Sequence, residues 1–468
     1  MAAGLLLLVA LRWHKMPLGL LVPTAWLAGN GLFAAERLLL AQVGLPWNTL
    51  TLAPPWLVVA VVAAWRLRVE HQGFALPNLR QTLSDRRERA RTIIELMGGV
   101  IILLWTASLM RRTFAQPLTG WDGLVDWIFK ARVFYHTGTV PLSFLQDREY
   151  AVYAHLDYPL FVPLSITRIY EWVGDQEVIA KGWWPLLAGA AAAGLYFGLK
   201  DLAGYAARLV GLLVLIGLPA MMVHGADVFV GYAELPLAVL FLYGALFLYR
   251  WLHDLGPGNF GLSALFFGLA GFTKNEGLPL VIAGIGLLVV LAVMLRRTKL
   301  AHLWQGLLLA ALVAVPWQIE KTIYGISGDL QPGLPALLQN WQERTGTILL
   351  NMGYYAANFN LLNLIWPLLP ILSIAVLVFA PRRWLTTLPL LLLIAAHLAS
   401  TLLAYIITPH DLRWHLATAA DRLVFQPILV GLLAGTIYLS TLLERDIKEV
   451  DAVYVPAGPA VTEATAAR

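Results

Sequence analysis

The residues in this chain best suited to chemistry are ionisable groups at the ends of apolar runs, where a charge is costly and is seldom kept without a task. Trp121-Asp122, with Asp126 and Lys130 close behind, is the first group. His155-Leu156-Asp157-Tyr158-Pro159, Tyr232-Ala233-Glu234, Lys274-Asn275-Glu276 and Asp421-Arg422 follow it. This mixture suits a reaction between a lipid-borne phosphate substrate and an acceptor hydroxyl. A carboxylate would take the acceptor proton, and cations would hold the departing phosphate. Asp122 and Asp126 are the base candidates. Arg422 fits phosphate oxygens by bidentate bonding, with Lys274 and His155 as further phosphate contacts. Trp121, Lys130, Asp157, Tyr158, Glu234 and Glu276 complete the candidate site.

Each of these residues also has a plainer role open to it. Asp122 stands before an apolar-periodic stretch, where Asp is a common helix N-cap. Asp126 lies four residues before Lys130, the spacing of an ion pair on a helix surface. His155 and Asp157 could serve loop packing, Glu234 could simply neutralise Lys274, and Lys274 could snorkel to the membrane surface. Arg422 could pair with adjacent Asp421. No spacing among Asp122, Asp126, His155, Asp157 and Glu234 matches a metal-ligand motif, so no metal and no other cofactor is expected.

The elements that must position these groups are set by composition. Of 468 residues, 59% are hydrophobic and 13% charged, about half the roughly 25% charge of a soluble domain. Mean hydropathy is +0.70. Apolar runs of membrane-spanning length recur from end to end, which implies an all-α polytopic membrane protein embedded in the lipid bilayer. The net charge of +5 comes from Arg-rich segments between apolar runs, where they orient helices, so nucleic acid is not an expected partner. There is no cysteine, which excludes disulfides, thiolate metal sites and cysteine nucleophiles.

Residues 2–11 form a short apolar run followed by Arg12, His14 and Lys15, a partial span rather than a cleaved signal. Full candidates lie near residues 18–40, 50–65, 98–110, 183–199, 208–222, 235–252, 260–272, 278–295, 303–317, 361–380, 385–407 and 424–442. The expected total is about 13 transmembrane helices. Residues 66–95 carry Arg66, Arg68, Arg80, Arg86, Arg87, Arg89 and Arg91 and are placed in the cytoplasm by the positive-inside rule. Alternation then puts Arg296, Arg297, Lys299, Arg382 and Arg383 on the same inner side. Residues 111–181 become a long outer loop, with further outer segments at 318–358 and 408–427. Within the long loop, residues 125–135 have helix-like apolar spacing, with Trp127, Phe129 and Tyr135 suited to the interface. They read as an amphipathic helix lying on the outer surface and broken by Pro141. Residues 158–163 lead into a second short interfacial helix. The chain thus divides into N-terminal accessory helices with a basic segment (1–95), a catalytic core (96–443) and a cytoplasmic tail (444–468), disordered from residue 457.

The order of these pieces resembles a known family. A span, Trp121-Asp122 in a large first outer loop, an amphipathic segment and Tyr158-Pro159-Leu160 entering the next span are similar to the GT-C class of membrane glycosyltransferases. The branch containing protein O-mannosyltransferases and aminoarabinose transferases is the most similar. Gly231–Ala238 (GYAELPLA), Phe272–Gly277 (FTKNEG) and Asp421–Pro427 (DRLVFQP) extend the match, which covers residues 98–442. The resemblance implies an inverting enzyme that moves a sugar from a polyprenyl-phosphate-linked donor to a glycan, lipid or protein acceptor outside the cytoplasm, at the cell membrane. It also implies a catalytic acid in the first outer loop, the position of Asp122. Departures are present. Gly123 follows Asp122 where an acidic pair is common, leaving Asp126 to stand in. His155–Pro159 replaces a double proline, Glu234 replaces Asp, and Leu423 replaces a Tyr. The competing class is a transporter or flippase of lipid-linked sugars or other anions, which would also carry ionisable residues in its spans.

Overall fold

The computed structural model describes residues 1–69, 86–256, 258–296, 300–328 and 334–454, and for 87, 88, 300, 334 and 445–454 the backbone alone. The expected cytoplasmic residue Arg80, the inner residues Arg297 and Lys299, and the tail beyond 454 lie outside the described residues.

The described residues form helices and no strands, because a spanning segment without water must satisfy every backbone group within itself. Every apolar run noted above is helical, although 208–222, 361–380 and 424–442 are each divided between two helices. Among the described residues, nine helices are long and apolar enough to cross a membrane: Leu18–Gln42, Thr49–Val69, Arg89–Ala115, Glu177–Gly198, Glu234–Leu252, Gly277–Leu295, Ala301–Tyr324, Pro381–Ile407 and Leu412–Glu444. Tyr205–Ile216 and Pro219–Ala226 pass the same test together, bent by 57° at the break before Pro219, and would make ten. Gly258–Gly271 and Ile365–Phe379 are apolar but shorter.

Glu234–Leu252 is the central helix, buried along nearly its whole length. It is apolar on all sides, which marks a helix surrounded by other helices. Gly258–Gly271 runs back against it, with Ser263 Oγ donating to the Gly244 carbonyl at 2.7 Å. Gly258–Gly271 also packs on Leu300–Tyr324. There Gly268 has no room for a side chain: a Cβ would lie 2.8 Å from the Ala310 Cα. Small residues that let backbones approach closely are a common means of helix association in lipid.

Of the N-terminal helices, Leu18–Gln42 packs into this bundle, whereas Thr49–Val69 packs on Ala2–Ala10 and Leu18–Gln42. Leu18–Gln42 buries Arg37, which pairs with Glu171 of the helix Phe161–Val173. The basic segment is partly helix: Arg86–Ala115 is one 30-residue helix, about 45 Å long at 1.5 Å per residue, so it projects well beyond a ~30 Å hydrocarbon core.

The long loop differs from its expected form. Residues 123–137 are helical, as a π-turn Gly123–Trp127 running into Ile128–Thr137. One face of this helix is buried in the protein, while Leu124, Phe129, His136 and Thr137 on the other are exposed. Trp127 is 1% exposed, and Ile128, Ala131 and Phe134 are buried against Phe161–Val173. That helix, the second expected interfacial one, is itself buried over most of its length. The terminator is Gly138 rather than Pro141. Gly138 takes a left-handed conformation (φ 66°), and its N–H donates to the Phe134 carbonyl at 2.9 Å, the usual way a glycine closes a helix. Two further expected outer segments also contain helices, Leu334–Ala356 and Leu412–Phe425.

Candidate active site

The groups singled out from the sequence gather at one end of the bundle, because four parts of the chain meet there. Glu234 opens the central helix, and Lys274 sits in the turn between the antiparallel Gly258–Gly271 and Gly277–Leu295 helices. Arg422 lies in the last turn of Leu412–Phe425. Asp122 follows Arg86–Ala115, where the chain turns into the π-helix.

Glu234 is the hub, only 1% exposed. Its Oε1 accepts from Lys274 Nζ at 2.9 Å and from Arg422 Nη1 at 3.3 Å. Its Oε2 is buried without a hydrogen bond from any described residue. Lys274 also reaches Glu276 Oε1 at 2.8 Å. The same Arg422 nitrogen donates to Asp122 Oδ2 at 2.6 Å. Arg422 Nε and Nη2 both donate to the Thr418 carbonyl, at 3.2 and 3.0 Å. Its guanidinium carbon stands 5.1 Å from the Tyr232 ring centre. Lys274 and Arg422 are far apart in sequence, and one carboxylate oxygen brings them together.

Burial works against the charge on Lys274, but Glu234 and Glu276 outweigh it and hold its pKa above the ordinary lysine value. Lys274 is therefore a fixed cation at any physiological pH.

Asp122 does not cap its helix: its side chain makes no capping hydrogen bond, and its carboxylate turns to Arg422 instead. Asp421 is half-buried and bonds the backbone N–H of Arg422 at 2.8 Å rather than the guanidinium. Trp121 is 60% exposed beside Asp122.

Asp126 and Lys130 do pair across one helical turn, yet not at a surface. Lys130 is 0% exposed, its ammonium is bound to Asp126, and it also donates to the His155 carbonyl. Burial pushes the Asp126 carboxyl above its ordinary value, against the pull of Lys130. The pair braces the 155–158 turn and does not join the Glu234 hub. His155 is exposed and stacks on Tyr158 with ring centres 4.5 Å apart. Tyr158 stacks in turn on Trp127 at 5.6 Å. The Lys274 ammonium lies 5.6 Å from the Tyr158 ring centre, so the aromatic stack borders the cation cluster. Asp157 is buried and bonds Asn275 Nδ2 at 2.6 Å.

Tyr232, Asn275, Trp317 and Lys321 were not picked out as site residues. Tyr232 lies two residues before Glu234 in the same motif. Trp317 and Lys321, four residues apart near the end of a span, have an interfacial pattern that could have drawn attention to them. His224 sits under the hub, buried and stacked on Phe425 at 4.0 Å. Among the described residues no group of three or more His, Asp and Glu side chains is placed to hold a metal ion.

The opposite end of the bundle has basic residues in structural pairs. Arg208 bonds Glu95 at 2.8 Å, Arg250 bonds the Gly198 carbonyl at 2.6 Å, and Arg383 bonds Glu444 at 2.9 Å. No family model, curated protein or solved structure matches the chain.

Proposed function

We propose that this protein is an integral membrane glycosyltransferase of GT-C type, transferring a sugar from a polyprenyl-phosphate donor to an acceptor on the extracytoplasmic side with inversion. The observation that carries this reading is the meeting of Lys274 and Arg422 on one Glu234 oxygen, with Asp122 on the same guanidinium. Two fixed cations beside a carboxylate are what a leaving phosphate and an attacking hydroxyl require. A lateral cleft supports the lipid part of the donor. It has a volume of about 320 Å³ and is lined by Ala283, Leu287, Val290, Leu392, Leu393 and Ala396, between Gly277–Leu295 and Pro381–Ile407. Ala283 lies six residues into Gly277–Leu295, about 9 Å along the helix from the turn that holds Lys274, within reach of an isoprenoid tail whose phosphate rests on that lysine.

In the proposed reaction the acceptor oxygen bonds to the anomeric carbon on the face opposite the phosphate. The carbon–oxygen bond to phosphate breaks, its electron pair goes to the phosphate, and Asp122 takes the acceptor proton. The sugar carbon stands between Asp122 and the cations, so the Asp122–Arg422 contact opens as the donor enters. Arg208, Arg250 and Arg383 at the far end favour a cytoplasmic placement of that end. In this reading the nine long helices, the bent pair and the two shorter apolar helices are the spans, and Ala2–Ala10 enters the membrane only part way.

The test is to incubate purified protein with radiolabelled polyprenyl-phosphate sugars and a total envelope extract as acceptor. Label should move into the acceptor with loss of the lipid-linked form. Movement of intact donor between leaflets without transfer would identify a transporter and overturn the proposal.

A further inference from the structure

Two turns meet at the cation cluster, and one carboxylate ties them together. Asp157 precedes Tyr158 in the first turn, and Asn275 follows Lys274 in the second. Asn275 Nδ2 donates to Asp157 Oδ2 at 2.6 Å, and the Phe161 N–H donates to the Phe272 carbonyl at 3.0 Å close by. Asp157 is 5% exposed. The rest of its surroundings come from Leu300–Tyr324 and the residues after it. Lys321 Nζ lies 3.6 Å from the same carboxylate oxygen, and Trp317 Nε1 donates to the Asp157 carbonyl at 3.2 Å. Gly328 lies so close that a Cβ there would collide with the carboxylate.

We propose that Asp157 is a positioning residue: acting through Asn275, it fixes the 273–277 turn and thereby sets where Lys274 presents its charge. Lysine is a point charge on a flexible four-carbon stem, so its placement depends on where its backbone is rooted. A charged acceptor makes a stronger tie than a neutral one, and Lys321 offsets the cost of burying that charge. The identity of the ligand rests on the transferase reading above; the clasp itself does not.

The experiment reads Lys274 directly. The acylation rate of Lys274 by an amine reagent is followed by mass spectrometry on the full chain in detergent, with thermal unfolding of each variant as a fold control. In parallel, affinity is measured for farnesyl phosphate as the probe. Asp157→Leu should speed Lys274 acylation and weaken farnesyl phosphate binding about tenfold, the scale of one lost charge-assisted hydrogen bond. Asp157→Asn keeps an oxygen for Asn275 and should retain most of both properties. In a Lys274→Gln background, Asp157→Leu should add no further loss of affinity. If Asp157→Leu fails to fold, Asn275→Leu removes the same bond from the other side and must give the same result. Unchanged Lys274 acylation in a folded variant of either kind overturns the clasp, as does an equal loss of affinity in the Lys274→Gln background. Wild-type protein that ignores farnesyl phosphate, while Asp157→Leu still alters Lys274 acylation, refutes the transferase reading and leaves the clasp standing.

Discussion

Replacing Asp122 with asparagine separates two roles that the geometry allows for this carboxylate. As a structural anion, Asp122 gives Arg422 one charge-assisted bond of 2.6 Å. The amide oxygen of the substituted side chain can still accept from the same nitrogen, so only the difference between a charged and a neutral hydrogen bond is lost. That difference is about 1 kcal/mol before discounting, and the site is open enough for solvent to screen part of it: the Asp122 and Arg422 side chains are 28% and 14% exposed. A purely structural role therefore limits the effect on rate to roughly fivefold, since each 1.36 kcal/mol is tenfold. No capping bond is at stake, because the side chain makes none. A general base, by contrast, contributes about 100- to 10,000-fold. Single-turnover transfer from a radiolabelled polyprenyl-phosphate sugar should then fall at least about 100-fold in Asp122→Asn, with unfolding temperature and donor affinity close to wild type. A rate within about fivefold of wild type would refute the reasoning and remove Asp122 as the base.

Arg422→Lys keeps the charge but loses the fork that reaches the Thr418 carbonyl and two carboxylates at once. Donor affinity should drop about tenfold or more, and equal donor affinity in the two proteins would argue against a phosphate contact. Gly268→Val should force Gly258–Gly271 away from Ala310 and cost about 1–3 kcal/mol by overpacking. A thermal unfolding midpoint no lower than that of wild type in detergent would contradict the close helix contact. For orientation, the cysteine-free chain permits single-site labelling in intact cells with a membrane-impermeant maleimide. Trp121→Cys should react from outside and Arg382→Cys should not, and the reverse pattern would invert the proposed topology.

The helical frame was legible because the length of an apolar run and the basic residues at its ends are local signals, carried within about twenty residues. The meeting of Lys274 with Arg422 was also anticipated, since both sit at span ends that alternate to the same side. What joins them was less visible. Glu234 reads as a neutraliser of Lys274 alone, and its second partner, Arg422, lies 188 residues away. Nothing in local spacing names a partner so distant. The helix at 123–137 is legible in its apolar spacing, but the depth at which its inner face is buried is not. Lys130 and the aromatic residues suggest a surface, whereas Asp126 satisfies Lys130 internally and Trp127 is buried against the Tyr158 ring. A charge reads as exposed until its partner is known to be buried with it. Asp157 shows the same limit: its contacts to Asn275, Trp317 and Lys321 belong to the packing of three elements and to no motif.

A buried carboxylate at the centre of the proposed phosphate site looks self-defeating, and the electrostatics of the bundle explain why Glu234 is there. Two cations at the end of apolar helices cannot stand unpaired at a tolerable cost. Asp122, Glu234 and Glu276 supply three negative charges against the two of Lys274 and Arg422, so the cluster is held without any ligand. A phosphodiester donor adds a single negative charge and competes poorly for these cations. During transfer the leaving phosphate gains a second charge, and only then does it outcompete a lone carboxylate for the guanidinium and the ammonium. Under the proposed reaction the cluster thus binds the charge that develops more tightly than the charge that arrives, which is the condition for accelerating the chemical step rather than merely holding the donor. In the proposed reaction Glu234 would carry this preference, because it sets the threshold that the leaving group must exceed. Glu234→Gln should accordingly tighten donor binding while lowering the single-turnover rate. A Glu234→Gln protein that gained donor affinity and rate together would show that the carboxylate serves only to neutralise its neighbours.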